Sequence, residues 1–176
     1  MAWRTEQKSD LEKVADLIRD AGGRIVGRTR LQKLAYLLEL SGLGEGFPFE
    51  YRHYGPYSEE LSIAIRNASL LGLLKEEERA TNWGGFYSIY TTPTTSDLPA
   101  SSSRYQLAHE AISADPIQLE LAATAAFLAT EGVSDAWEMT RKLKPEKSER
   151  GNLQRAKLLY QKLMKIDTPQ RLPNIM

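Results

Sequence analysis

Leu73-Leu74-Lys75-Glu76-Glu77-Glu78-Arg79-Ala80-Thr81-Asn82-Trp83-Gly84-Gly85-Phe86-Tyr87-Ser88-Ile89-Tyr90-Thr91 holds two extended runs around a turn rich in polar residues and glycine. The second run is aromatic and β-branched, so the stretch predicts a two-stranded hairpin. Working back from it, the chain is helical. Ser9-Asp10-Leu11-Glu12 fits a capping box, in which a hydroxyl satisfies an orphan amide and the Glu three residues on reaches back. Leu11, Val14, Ala15, Leu17, Ile18 and Ala21 follow on one stripe, and Gly22-Gly23 ends the helix. Thr29-Arg30-Leu31-Gln32 fits a second capping box, opening a helix with Leu31, Leu34, Ala35 and Leu38 that stops at Gly42. Between the two helices, Ile25-Val26 suits a very short strand. Phe47 to Tyr54 is aromatic and roughly alternating, as in an extended segment, and Gly55-Pro56 punctuates it. Tyr57-Ser58-Glu59-Glu60 then opens a third helix, with Leu61, Ala64, Ile65, Ala68 and Leu71 as its buried stripe and Gly72 as its stop. Helix, helix, short extended segment, helix and hairpin is the order of a winged helix, a helix-turn-helix core with a β wing.

Beyond the hairpin lie two Pro and a run of Ser, Thr and Asp without periodicity, which predicts a linker over residues 93–103. The rest reads as helix. Ser103-x-x-Gln106 caps one as far as Ser113, and Asp115-Pro116 pairs an N-cap with Pro at the first helical position. The helix that this pair opens, Ile117 to Thr130, is alanine-rich and apolar over most of its circumference, which predicts burial, within the monomer or in a homodimer. Ser134 caps a short helix to Leu143, and Glu149 to Ile166 is a last amphipathic one. The expected fold is mainly α with a small β hairpin: a winged-helix-like domain over 1–92, the linker, and a helical C-terminal extension over 104–176.

The chain has 176 residues, 15 of them aromatic, enough for a folded core in one domain or one domain with an appendage. It has no Cys and two His, which excludes disulfide scaffolds, thiol catalysis and Cys-ligated zinc. No apolar run approaches the roughly 20 residues of a membrane span, and Met1 to Glu6 lacks the apolar region of a signal peptide. A soluble, cytoplasmic protein is the expectation. The zero net charge conceals an asymmetry: residues 1–140 carry 13 basic and 20 acidic side chains, and residues 141–176 carry 10 and 3. A basic tail of this kind marks either an interaction surface or a partner for the acidic body of the same chain.

No catalytic constellation emerges. Gly42-Leu43-Gly44-Glu45-Gly46 lacks the Lys-Ser/Thr ending of a phosphate loop, no Ser sits in a nucleophile elbow, and Glu76-Glu77-Glu78 do not all face one point. No metal or cofactor is expected. Interaction surfaces read better. Arg28, Arg30, Lys33, Tyr54 and Tyr57 combine the side-chain types that dominate binding hot spots. For nucleic acid, the second and third helices offer Arg24, Arg28, Arg30, Lys33, Arg66 and Asn67, and the tail offers Arg141, Lys142, Lys144, Lys147 and Arg150. Glu59-Glu60 at the head of the third helix would face phosphates unfavourably.

Two segments carry a resemblance. Gly27-Arg28-Thr29-Arg30-Leu31-Gln32-Lys33-Leu34-Ala35-Tyr36-Leu37-Leu38-Glu39, followed by Tyr51-Arg52-His53-Tyr54-Gly55-Pro56-Tyr57-Ser58-Glu59-Glu60-Leu61, resembles the paired motif of the YwgA-like and SocA-like phage-associated proteins of the Panacea antitoxin superfamily. Leu70-Leu71-Gly72-Leu73-Leu74 and Lys142-Leu143-Lys144-Pro145 look similar to further elements there. The resemblance implies a helical, winged-helix-like protein that acts by binding a protein partner, in an antitoxin-like or phage-related setting, without catalytic residues to carry over. The expected function is therefore a non-catalytic interaction or regulatory module, and the alternative is a winged-helix DNA-binding regulator.

Overall fold

A computed structural model describes residues 7–175. The reading of residues 1–6 as free of a signal peptide lies outside that range. Seven helices are present among the described residues: α1 (Asp10–Asp20), α2 (Arg28–Leu40), α3 (Glu59–Leu70), α4 (Ser103–Ser113), α5 (Pro116–Thr130), α6 (Ala136–Leu143) and α7 (Asn152–Met164). Five short strands join them: β1 (Arg24–Val26), β2 (Glu50–Arg52), β3 (Gly55–Tyr57), β4 (Lys75–Ala80) and β5 (Phe86–Thr91). The fold is mainly α with a small antiparallel sheet of order β1-β5-β4, plus a separate β2-β3 pair. None of the described helices is long and apolar enough to cross a membrane.

Local chemistry explains most boundaries. Ser9 and Glu12 form the reciprocal capping box of α1. Ser58 caps α3 by accepting from the Leu61 amide, and Asp115 caps α5 ahead of Pro116. Five expectations need correction, the first being Leu71, which is not in the buried stripe of α3 but caps its end at 68% exposure. The second capping box is absent: α2 starts two residues earlier than a Thr29 cap would place it, at Arg28, and its N-cap is Gly27, at φ +97° and with no side-chain bond. Gln32 is buried and turned instead toward α3, where its amide accepts from the Ser58 N–H at 2.8 Å and donates to the Ser58 carbonyl at 3.0 Å. Gly55-Pro56 is not the turn but the start of β3; the turn is His53-Tyr54, and Arg52 pairs with Gly55 across it. Ser102 rather than Ser103 caps α4, and Asp135 rather than Ser134 caps α6.

A single cluster of buried side chains runs from α1 through α2 and α3 to α4, α5 and α7. The segment between β5 and α4 has no regular structure and is tied down, with the Ser96 hydroxyl donating to Asp20 at 2.6 Å. At the centre lies α2. Its residues Leu31 to Leu38 are all buried, because α4, α5, β1 and β3 pack around it and Gln32 bonds to the start of α3. The small side chains Ala122, Ala123, Ala125 and Ala126 let α5 approach closely within the monomer. The C-terminal segment returns to α2: the Gln170 amide donates to the Ser41 carbonyl at 3.0 Å, Leu172 is buried, and the Tyr160 hydroxyl donates to the Pro173 carbonyl at 2.6 Å.

Candidate functional site

The β4-β5 hairpin ends in a turn that leaves large aromatic rings in water. Trp83 is 83% exposed and Phe86 74%. The local sequence requires this. Thr81 closes the loop by accepting the Gly85 amide on its hydroxyl at 2.8 Å and donating its own amide to the Gly85 carbonyl at 2.8 Å, so Trp83 stands at the apex with no element above it. Between this tip and the start of α2 runs a groove of about 560 Å³ whose walls include Val26, Arg28, Arg30, Trp83, Phe86 and Pro116.

Two guanidinium groups reach the groove from the first turn of α2, which has no acidic residue. Arg28 is exposed. Its guanidinium contacts Glu76 and Glu78 at 3.4 Å each, and hydrogen bonding to Tyr90, ahead of the Glu76 charge, holds it more strongly protonated than usual. Arg30 is half-buried, donating to the Val26 carbonyl at 2.8 Å and the Ala114 carbonyl at 2.9 Å. Burial pulls its pKa down against the pull of Asp115, and its Nε is buried without a partner.

Next to the groove a polar cleft of about 200 Å³ joins the two motifs of the sequence, with Arg28 and Gln32 from α2 facing Tyr57, Ser62 and Arg66 from β3 and α3. The Tyr57 hydroxyl lies 2.7 Å from that of Ser62, and Arg52 stacks 4.7 Å from the Tyr57 ring.

The remaining candidates separate. Lys33 is not a surface residue. It is 1% exposed, and its Nζ donates to the Pro56 carbonyl at 2.6 Å. Burial is the first cause of a pKa pushed down to about 7; Glu120 opposes it, and Lys144 and Lys147 add to it. Lys144 is likewise buried rather than free for a phosphate, donating to Glu120 at 2.8 Å and to the His53 carbonyl at 3.0 Å. Lys147 meets the same carboxylate at 2.8 Å and sits 4.7 Å over the exposed Tyr54 ring. Glu120 thus binds the tail of the chain to its body. Arg141 pairs with Glu138 on the surface, while Arg24, Arg66, Asn67, Lys142 and Arg150 are exposed. Arg28 and Arg30 share the groove; Tyr57 lies in the adjoining cleft, and Tyr54 sits over the buried lysine cluster. Trp83 and Phe86 were legible only as hairpin residues, and the signal that would have singled them out is a Trp in a turn whose neighbours are all small or polar.

No family model matches the chain. Over 65 residues, 37% of its length, it is 35% identical to the uncharacterised protein YwgA of Bacillus subtilis (strain 168), and the matched stretch spans 38% of that protein. The chain is YwgA-like over rather more than a third of its length.

Proposed function

We propose that this chain is a non-catalytic protein-interaction module of regulatory, antitoxin-like or phage-related type, with a winged-helix-like N-terminal part whose wing is the β4-β5 hairpin. The observation that supports the partner reading best is the exposure of Trp83 and Phe86 beside Arg28, since Trp, Tyr and Arg are the side chains that anchor protein interfaces. The helix and strand order, with β1 pairing to β5 rather than to β4, supports the winged-helix-like reading. The test is site-specific photocrosslinking in the source cells, with p-benzoylphenylalanine in place of Trp83 or, as a control, of the exposed Gln161 on α7. A discrete adduct from position 83 and none from 161 is the expected result. No adduct from 83, or the same set from both positions, would refute the reading.

A second reading, DNA binding, is favoured by Arg66 and Asn67, which lie exposed on α3 where a helix-turn-helix protein meets the major groove. Against it stand Glu59 and Glu60 at the head of α3 and the acids that hold Arg28. Fluorescence anisotropy on mixed-sequence duplex DNA across a salt series decides it: binding that falls steeply with salt and is lost in Arg66→Glu supports DNA, and absence of binding at low salt removes it.

A further inference from the structure

The groove also carries information about what fills it. Strand β1 ends at Val26, opposite Ile89, and the chain then turns away into α2. The Gly27 amide donates to the Ser88 carbonyl at 2.8 Å, so the main chain of Ser88 faces the β1 side. Backbone groups alternate along an antiparallel strand, so the N–H and C=O of Phe86 face the same side, where β1 has already ended. A short length of β5 edge is therefore open, and it borders the groove.

Three kinds of recognition converge there. The edge at Phe86 offers main-chain hydrogen bonds to an extended segment, as in strand addition. Trp83 and Phe86 offer apolar surface. Arg28 and Arg30 offer positive charge. Arg30 has carbonyl oxygens and no carboxylate within ion-pair distance among the described residues. Arg28 reaches Glu76 and Glu78 at 3.4 Å each, longer than the about 2.7–2.9 Å of a strong charge-assisted bond. Arg28 is shared between Glu76 and Glu78, and Asp115 acts on Arg30 only at longer range, so the guanidinium open to a further carboxylate is that of Arg30, whose Nε has no partner.

We propose that the groove takes an extended acidic segment of the partner protein, one that sets a carboxylate against Arg30 and an apolar side chain against Trp83 and Phe86. This assignment rests on the reading of the groove as the partner surface and adds the chemistry of the partner.

The test uses the ¹⁵N-labelled full chain and three capped octapeptides: one alternating Glu with Leu, one Lys with Leu, and one Glu with Ser. The Glu-Leu peptide is expected to shift the Trp83 indole N–H and the Phe86 amide saturably, with the other two at least about ten-fold weaker. Trp83→Ala should weaken the Glu-Leu peptide by about 30-fold, the size of a hot-spot loss. The double charge reversal Arg28→Glu/Arg30→Glu should abolish binding, while Lys142→Glu on the far helix α6 leaves it unchanged. Amide spectra away from the groove report whether each variant is folded, and Arg30→Gln, also expected to weaken binding, stands in if the double reversal unfolds. Equal binding of the Lys-Leu peptide would overturn the acidic assignment, and equal binding of the Glu-Ser peptide would overturn the apolar one. If no peptide moves the groove signals while position 83 still crosslinks a protein, the acidic segment is refuted and the partner module stands; if crosslinking also fails, both fall.

Discussion

Replacing Lys33 with Met should make the stability of this protein less dependent on pH, in a direction that can be worked out beforehand. The Lys33 ammonium is 1% exposed, with the Pro56 carbonyl 2.6 Å away as its hydrogen-bond partner, and burial brings its pKa to about 7 from an ordinary 10.5. Below pH 7 the amine is charged in both the folded and the unfolded chain, and the whole cost of burying the charge falls on the folded state. Between pH 7 and 10.5 the unfolded chain holds more of the proton, so stability rises with pH through that window. The gap between the two pKa values corresponds to a rise on the order of 5 kcal/mol. Methionine fills a similar volume and does not titrate; it loses the bond to Pro56, worth about 1 kcal/mol. Lys33→Met should therefore be the more stable protein near pH 7 by a few kcal/mol and lose that advantage by pH 10. Urea unfolding followed by circular dichroism from pH 6.5 to 10, on both proteins, gives the difference directly, and subtraction removes the titration of the groups that do not interact with Lys33. A difference that stays constant across the window would refute the argument, because the amine would then have the same proton affinity folded and unfolded.

Other perturbations address the surroundings of Lys33. Gly55 sits at φ +90°, and a Cβ there would lie 2.5 Å from the Thr124 Oγ1; Gly55→Ala should cost about 2 kcal/mol or more in urea unfolding, and the added Thr124→Ala change should recover the steric part but not the backbone part. Lys144→Met leaves the buried Glu120 with only its half-exposed partner Lys147; a loss of about 3 kcal/mol is expected, against less than about 1 kcal/mol for Lys147→Met, read from the same unfolding curves. Gln32→Leu strands the buried Ser58 amide and should cost about 2 kcal/mol, whereas Thr29→Ala, at a position that caps nothing, should change the thermal midpoint by less than about 2 °C.

What the sequence disclosed and what it concealed divide along physical lines. Ser9, Glu12, Asp115 and Pro116 act on amides within three residues of themselves, so their roles could be read directly. Thr29 and Gln32 have the spacing of the same device, but Gln32 finds a better partner in Ser58, 26 positions on, once α3 packs beside α2. Lys33 follows the same logic. On a helix with one wet face a lysine in that position would be solvated, yet α2 has no wet face in its middle turns, and Glu120, Lys144 and Lys147, which set the electrostatics of Lys33, lie 87 or more positions away. The basic tail was visible as composition; the pairing of two of its lysines with Glu120 was not, since nothing local links them. At the groove, Arg28 and Arg30 could be named from the sequence, while the aromatic wall opposite them could be recognised only once the hairpin had been folded against the start of α2.

The return of the C-terminal segment to α2 has a consequence for synthesis. Ser41 emerges from the ribosome early, but Gln170, which donates to its carbonyl, and Leu172 emerge some 130 residues later. Translation at about 5–20 residues per second puts several seconds or more between the two events. The flank of α2 that α5 covers is open until residue 130 has emerged, and the C-terminal end of α2 at Ser41 stays open for the whole interval, accessible to chaperones, proteases and other nascent chains. A chain halted before Gln170 and Leu172 are made would remain in that exposed condition, a ready substrate for proteolysis.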